Sequence, residues 1–300
     1  MVEVRFPYPH DTDKDIFLEA LSYSEGITGF SASLIEKDYY CSLILHQVFL
    51  RDTPLIFKGG TCLSKVYADF YRLSEDLALV LPVSVDSSRN HRRSKMDPVK
   101  GIFNELPALV PGITVLHAFR GHNESRQYIG YLEYPSAVME RQERIKIEIG
   151  IREPLILSSV TGETRTIVVN PFSGRPLLPV FTVQAMNMKE AYAEKVRAAL
   201  TRTEPAIRDL FDLFYAVHKM KLDIDAPDFL IMVRKKLDVP GNTPVDISLE
   251  YKRELGRQLE GQLRPVLRPV DFDSFNMDEA FELIVRIAEA VSGMVGIITG

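Results

Sequence analysis

Cysteine is scarce. Only Cys41 and Cys62 occur in the 300 residues, each inside an apolar, helix-like stretch. That excludes a disulfide framework and points to reduced, buried thiols of a cytoplasmic protein. Long hydrophobic runs are also lacking. The most apolar segment, AFELIVRIAEAVSGMVGIITG, is interrupted by Glu282, Arg286 and Glu289 at helical spacing, so no membrane span is expected. The N-terminal MVEVRFPYPHDTDKD has no basic region followed by an apolar core, and no signal peptide is expected. Nor is there a basic excess: the net charge is -5, so any nucleic-acid contact must come from a local patch. Six histidines are scattered without the spacing of a zinc site. No repeat or low-complexity tract is evident.

What is present is an ordinary folded composition, 46% hydrophobic and 26% charged. SASLIEKDYYCSLILHQVFLRD reads as an amphipathic helix, with Ser31 or Ser33 as its cap and Glu36 completing a capping box after Ser33. Short strands are expected at PLIF and DLALVLP. Between them KGG breaks the chain, and a helical period runs through Leu63, Val66, Tyr67 and Phe70. SSRNHRRSKMDPVKGIFNEL reads as a basic loop leading into a helix. Further strands are expected at RQYIGYLEY, ERIKIEIGI and RTIVVN. After NPFSGRPLLP the pattern turns helical, at about 185–202, 204–220, 226–237, 246–262 and 277–292. The expected class is therefore α+β and bilobal, with a mixed-sheet domain over residues 1–175 and a helical domain over 176–300.

Two motifs bear on chemistry. Gly59 and Gly60, at a strand-to-helix turn, let backbone N–H groups approach an anion, and Thr61 and Ser64 add hydroxyl donors. Taken alone, GGT is better explained by a tight turn without any ligand. In SEDLALVL, Asp76, Ala78 and Val80 share one face of a strand and the leucines share the other. In ERIKIEIGI the isoleucines form the buried face, so Glu148 points the opposite way with Arg144 and Lys146. Asp76 and Glu148 are thus expected on one open sheet face, beside the glycine turn. Such carboxylates suit Mg²⁺. The alternative is that Glu148 pairs with a Lys or Arg of a neighbouring strand on a solvated face.

KGGTCLSK, RLSEDLAL, KIEIG, AEKVRAAL and IRDLFDLF, together with the upstream LIEKDYY helix, occur in order over roughly Leu34 to Tyr215. In this order they resemble the nucleotidyltransferase toxins of the abortive-infection AbiEii/AbiGii type, also called type IV or MenT-like toxins, of the DNA polymerase beta-like superfamily. The resemblance implies a toxin of a toxin–antitoxin, phage-defence system that moves a nucleotide from an NTP to an acceptor, with Mg²⁺ as cofactor. The implied acceptor is the tRNA 3′ end and the implied regulatory partner an antitoxin. Modification of a protein hydroxyl is the alternative within enzymology. Position by position, Gly59, Gly60, Thr61 and Ser64 match the phosphate loop. Asp76 matches the first acid of a D-x-D pair and Glu148 the third acid, both as metal ligands. Lys195, Asp209 and Asp212 match the helical-domain motifs, Lys195 suited to a triphosphate, Asp209 to nucleotide binding, and Asp212 to holding Lys195 or contacting the nucleotide. The basic stretch Arg89, His91, Arg92, Arg93, Lys95 and Lys100 is the candidate nucleic-acid contact, with a solvated charged loop as its rival.

Ala78 stands where the family has the second acid. In a two-metal site that carboxylate bridges both ions, so its loss is expected to cost roughly a thousandfold or more in rate. Two histories fit: a naturally degenerate relative, or a deliberate replacement that makes a toxin tolerable to the cell producing it, which the otherwise intact motifs favour. A nucleotide-binding or RNA-binding regulator without chemistry is the reading from a different class.

Overall fold

The computed structural model describes residues 8–293. The chain folds into two compact units, one built from the chain up to Pro154 with Val160–Ala185, the other from Leu155–Ser159 and the chain from Met186 onward. The first has a seven-stranded sheet with helices, and the second is helical among the described residues. The expected α+β class is the one observed.

In the first unit the helices are α1 (Pro9–Thr12), α2 (Lys14–Thr28), α3 (Ala32–Phe49), α4 (Gly59–Cys62) and α5 (Arg89–Leu109), with a π-helical turn at Leu63–Tyr67 continuing α4. The strands are β1 (Ile56–Lys58), β2 (Leu77–Val80), β3 (Thr114–His122), β4 (Gln127–Ser136), β5 (Arg141–Gly150), β6 (Val160–Thr164) and β7 (Phe181–Ala185), in the spatial order β3-β4-β5-β2-β1-β7-β6. The sheet is mixed: β2 is parallel to β5 and antiparallel to β1, which is parallel to β7.

Alternation in the sequence sets which face is buried. Leu77, Leu79, Ile145, Ile147 and Ile149 are buried in the core, while Ala78, Lys146 and Glu148 stay partly open. The α3 helix is buried almost all round, including Ile35, Tyr39, Leu43, Ile44 and Val48. Its expected capping box does not form. Ser31 is the N-cap, and the fully buried Glu36 instead accepts the Ser136 hydroxyl and the Ala137 N–H (2.6 Å), pinning the β4–β5 turn. A buried carboxylate holds those donors more profitably than a helix end in water would.

Three other expectations are corrected. The basic stretch is the first turns of α5, capped by Ser88, and not a loop. The segment 165–170 is no strand: Val169 makes one bridge to Pro176, and Asp38 holds the Ile167 N–H at 3.0 Å and the Thr166 hydroxyl at 3.4 Å. Strands β3, β6 and β7 were not foreseen.

In the second unit the helices are α6 (Met188–Thr201), α7 (Ile207–His218), α8 (Pro227–Leu237), α9 (Leu249–Arg257), α10 (Pro269–Asp273) and α11 (Met277–Gly293). The α6, α7, α8 and α11 helices pack together around Val196, Leu210, Phe229 and Ile284. Glu190 anchors the returning segment by accepting the N–H groups of Ile156 (3.0 Å) and Leu157 (2.8 Å), and it is ion-paired with the buried Lys236 at 2.7 Å.

Candidate active site

The site in the first unit is built on one row of the sheet. Lys58 pairs with Ala78 across β1 and β2, and Ala78 pairs with Glu148 across β2 and β5. Directly opposed residues present their side chains on the same face. Lys58, Ala78 and Glu148 are therefore three consecutive positions across the open face. Asp76 lies two residues before Ala78, just outside β2, half-buried, with its carbonyl accepting the Thr61 hydroxyl at 2.5 Å.

The glycine turn lies at the end of β1. Gly59 has φ +76, a conformation that costs a side-chain-bearing residue dearly, and a β-carbon there would stand 2.9 Å from that of Ala78. Gly60 is required for a different reason. A β-carbon at Gly60 would stand 2.1 Å from the Arg72 guanidinium, which is buried behind the turn. The two hydroxyls are also engaged. Thr61 donates to Asp76 and Ser64 donates to the Arg72 carbonyl at 2.5 Å, and both are buried. They tie the helical turn to the segment leading into β2.

Behind the turn is an ion pair that the motif reading did not assign. Lys65 Nζ lies 2.6 Å from Asp38 Oδ1 and donates to Ser42 Oγ (2.8 Å) and the Arg165 carbonyl (3.1 Å). Both residues are buried, and their hydrogen bonds are supplied, as a buried ion pair demands. Cys41 and Cys62 are fully buried. Burial and the nearby Asp38 push the Cys41 thiol up to about 12, so it is inert at neutral pH.

Electrostatically the row is dominated by cations around one acid. Glu148 Oε2 is 3.3 Å from Lys146 Nζ. Burial opposes ionisation of Glu148, but Lys58, Lys146 and Gln127 together outweigh it and hold its carboxyl below the ordinary glutamate value. The alternative reading expected a basic partner on a neighbouring strand; the ion-paired cation is instead Lys146 on Glu148's own strand, and its cross-strand neighbours are Ala78 and Ile129.

In the second unit, Lys195 on α6 lies 2.6 Å from Asp209 Oδ1 and 2.9 Å from Asp212 Oδ2, both on α7. Arg202 adds a contact of 3.1 Å to the other oxygen of Asp209. Burial works against the Asp209 carboxylate, but Lys195 and Arg202 overcome it and lower its pKa. The i,i+3 spacing on α7 places both acids on the side that meets Lys195.

Of the basic stretch, Arg89, His91, Arg93 and Lys95 are exposed. Arg92 leaves that set. It is buried, its guanidinium donating to the Glu124 carbonyl (2.8 Å from Nη2) and to that of Ser87. It thus fastens the β3–β4 turn to α5, and its stem fills a core position.

A family model described as nucleotidyl transferase AbiEii toxin, type IV toxin–antitoxin system, matches residues 45–285. The chain belongs to this family. AbiEii membership makes it a toxin-family nucleotidyltransferase, with an NTP substrate, an antitoxin partner and usually a divalent metal implied. No curated protein matches. Among solved structures, JHP933 from Helicobacter pylori is 15% identical, with 89% of this chain and 95% of that chain covered and a TM-score of 0.48. A second H. pylori chain, described provisionally as a nucleotidyltransferase, is 16% identical, with 90% and 100% covered and a TM-score of 0.48. No helix among the described residues is long and apolar enough to cross a membrane.

The site keeps two of the three acids expected for the metal that AbiEii membership implies, Asp76 and Glu148. Mg²⁺ requires near-octahedral oxygen ligands, normally with one or two carboxylates that are free to coordinate. Here Ala78 offers none, and Glu148 is ion-paired with Lys146 at 3.3 Å. Among the described residues no group of three or more His, Cys, Asp or Glu side chains is placed to hold a metal ion.

Proposed function

We propose that the open face around Ala78 is a nucleoside-triphosphate site, descended from or convertible to one that transfers a nucleotide to an RNA 3′ end, and that Ala78 impairs the transfer step. The observation that carries this reading is the Lys58–Ala78–Glu148 row beside the Gly59 turn, with Asp76 just before it, in a chain of the AbiEii family. In the full reaction the acceptor hydroxyl oxygen bonds to the α-phosphorus, the α–β bridging P–O bond breaks, and pyrophosphate carries away that electron pair. The hydroxyl proton is lost to solvent or to a carboxylate. Charge grows on the departing pyrophosphate, so fixed cations favour the step.

Within the helical unit, Lys195 is proposed as a triphosphate contact that Asp209 and Asp212 keep in one position. Titration of the chain with each of the four NTPs is expected to give micromolar to millimolar affinity for at least one. Lys195→Ala should weaken it by about 1–3 kcal/mol, the loss of a charge-assisted contact. Equal affinity of the two proteins would remove Lys195 from the site, and no binding by the unaltered chain would remove the nucleotide reading.

An RNA acceptor is supported by the rows adjoining Glu148. Ile129 on β4 pairs with Glu148, and Arg120 on β3 pairs with Ile129. In the next row His117, Tyr131 and Lys146 stand side by side, with the His117 ring perpendicular to that of Tyr131 at 5.7 Å and the Arg144 guanidinium 5.9 Å over it. An aromatic ring among cations suits stacked bases and phosphates. Tyr131→Ala is expected to weaken binding of a short single-stranded RNA by about 1–3 kcal/mol, while Tyr131→Phe preserves it. If α5 also contributes, Arg89→Ala with Arg93→Ala should flatten the salt dependence by up to about two units of slope. Anisotropy titrations at several salt concentrations decide both.

The binding-only reading draws on Ala78 itself, since a chain without that acid retains its cations. Under it, NTP or RNA would bind and no label would be transferred.

A further inference from the structure

His10, on α1, joins three parts of the first unit through its two ring nitrogens. Nε2 lies 3.0 Å from the Pro111 carbonyl, in the segment between α5 and β3, and Nδ1 lies 2.9 Å from the Tyr39 hydroxyl on α3. These partners fix the tautomer. A carbonyl can only accept, so Nε2 carries the hydrogen, and in a neutral ring Nδ1 must then accept from the tyrosine. The imidazole is half-buried among the rings of Tyr8, Phe17 of α2, Tyr39 and Tyr40, whose centroids are 5.1–6.1 Å away.

Protonation conflicts with this arrangement. With a hydrogen on both nitrogens, Nδ1 and the Tyr39 hydroxyl are two donors facing each other. The hydroxyl would have to turn and accept. Its own hydrogen would then lack a partner in the core, since Tyr39 is fully buried and its hydroxyl bonds His10. The surroundings compensate an imidazolium poorly. Asp11, exposed on the same helix, favours the charged ring, as does the Pro111 carbonyl, but burial outweighs both and lowers the His10 pKa. From α2 the ring meets Phe17, which carries no charge. From α3 it meets Tyr39 and Tyr40, whose hydroxyls burial pushes far above the ordinary tyrosine value, so both stay neutral. Tyr8 is also raised by burial, and its hydroxyl accepts from Gln47 at 2.8 Å. We propose that His10 is an acid-released latch, which when neutral fastens α1 and the Pro111 segment to α3 and when protonated lets α1 open. This device is separate from the nucleotide site and does not depend on it. Because the open state takes up the proton more readily, the latch is complete above the ordinary histidine value of about 6.5. It is lost progressively as pH falls below that toward the lowered value in the closed state.

The test is amide hydrogen exchange of the full chain at about pH 7.5 and about pH 5.5, corrected for the intrinsic pH dependence of exchange. The amides of Thr12 and Asp13, which bond the Tyr8 and Pro9 carbonyls, are expected to open about fivefold to tenfold more readily at the lower pH, the range that one lowered histidine permits over that interval. Helix α11 of the second unit should keep its protection. The midpoint of opening should coincide with the titration of the His10 ring, followed by NMR, and the ring nitrogen shifts should show hydrogen on Nε2 at the higher pH. His10→Gln can donate to Pro111 and accept from Tyr39 but takes up no proton, so it should remain protected and lose the pH response. Equal protection of the parent α1 at both pH values overturns the inference. So does an Nδ1–H tautomer, or a pH response that persists undiminished in the folded His10→Gln protein.

Discussion

Ala78→Asp is expected to raise nucleotidyl transfer by roughly a thousandfold or more and to impair growth of the expressing cell. Residue 78 is flanked by Lys58 on one strand and Glu148 on the other, on the half-open face. A carboxylate there joins Asp76 and Glu148 as a third acid on this face. Gly59 must stay glycine in this variant, because a β-carbon there would stand 2.9 Å from the β-carbon at position 78. The assay is incubation of the variant with total RNA and each labelled NTP in magnesium buffer. Label in a tRNA band fits the RNA acceptor, and label in protein fits hydroxyl modification of a polypeptide. Adding Asp76→Ala should abolish both transfer and growth inhibition, since acids that act as one unit do not lose activity additively. A folded Ala78→Asp protein that binds NTP but transfers nothing, and that leaves growth untouched, is the outcome the binding-only reading requires.

Lys65→Met is expected to destabilise the first unit by about 3–5 kcal/mol, read as a lowered midpoint in urea. The residue lies in KGGTCLSK, where a lysine close to a glycine turn suggests contact with phosphate. Its ammonium is instead buried against Asp38 and Ser42, and it also holds the Arg165 carbonyl. Removing it leaves the Asp38 carboxylate buried without its cation. A Lys65→Met protein as stable as the parent but weakened for NTP would move Lys65 from the core to the ligand.

The sheet face was legible because alternation is a strong signal where one side is buried. Leu77 and Leu79 against Ala78, and Ile145, Ile147 and Ile149 against Lys146 and Glu148, fall as the period of two requires. Helices α6, α7, α8, α9 and α11 of the second unit were legible for the corresponding reason at period 3.6, while the short α10 was not foreseen. Edge strand β3 was not, since most of its residues are exposed on both sides and its sequence therefore lacks alternation. RTIVVN has the apolar character of a strand, but Asp38 bonds its backbone in place of a partner strand. In α5 an arginine, Arg92, occupies a core-facing position, which hides the helical period behind a run of charge.

At the site, the motif fixed positions better than roles. GGT reads as room for an anion, yet Gly60 makes room for Arg72, and the Thr61 and Ser64 hydroxyls bond carbonyls of the same unit. Arg72 and Lys65 are distant from these partners in sequence or sit in helical turns with no distinctive spacing. Lys58 was passed over because the motif begins to matter at its glycines. The clue was the strand end: a lysine closing β1 pairs with whatever occupies position 78.

The most direct measurement is a methyl NMR titration of the unaltered chain, ¹³C-labelled at alanine, with an NTP, the Ala78 signal being identified by its disappearance in Ala78→Gly. The nucleotide reading predicts that the Ala78 methyl resonance moves progressively to saturation, while that of Ala20, fully buried in α2, stays in place. An Ala78 methyl that is unmoved at an NTP concentration that saturates binding would contradict the assignment of this face as the nucleotide site.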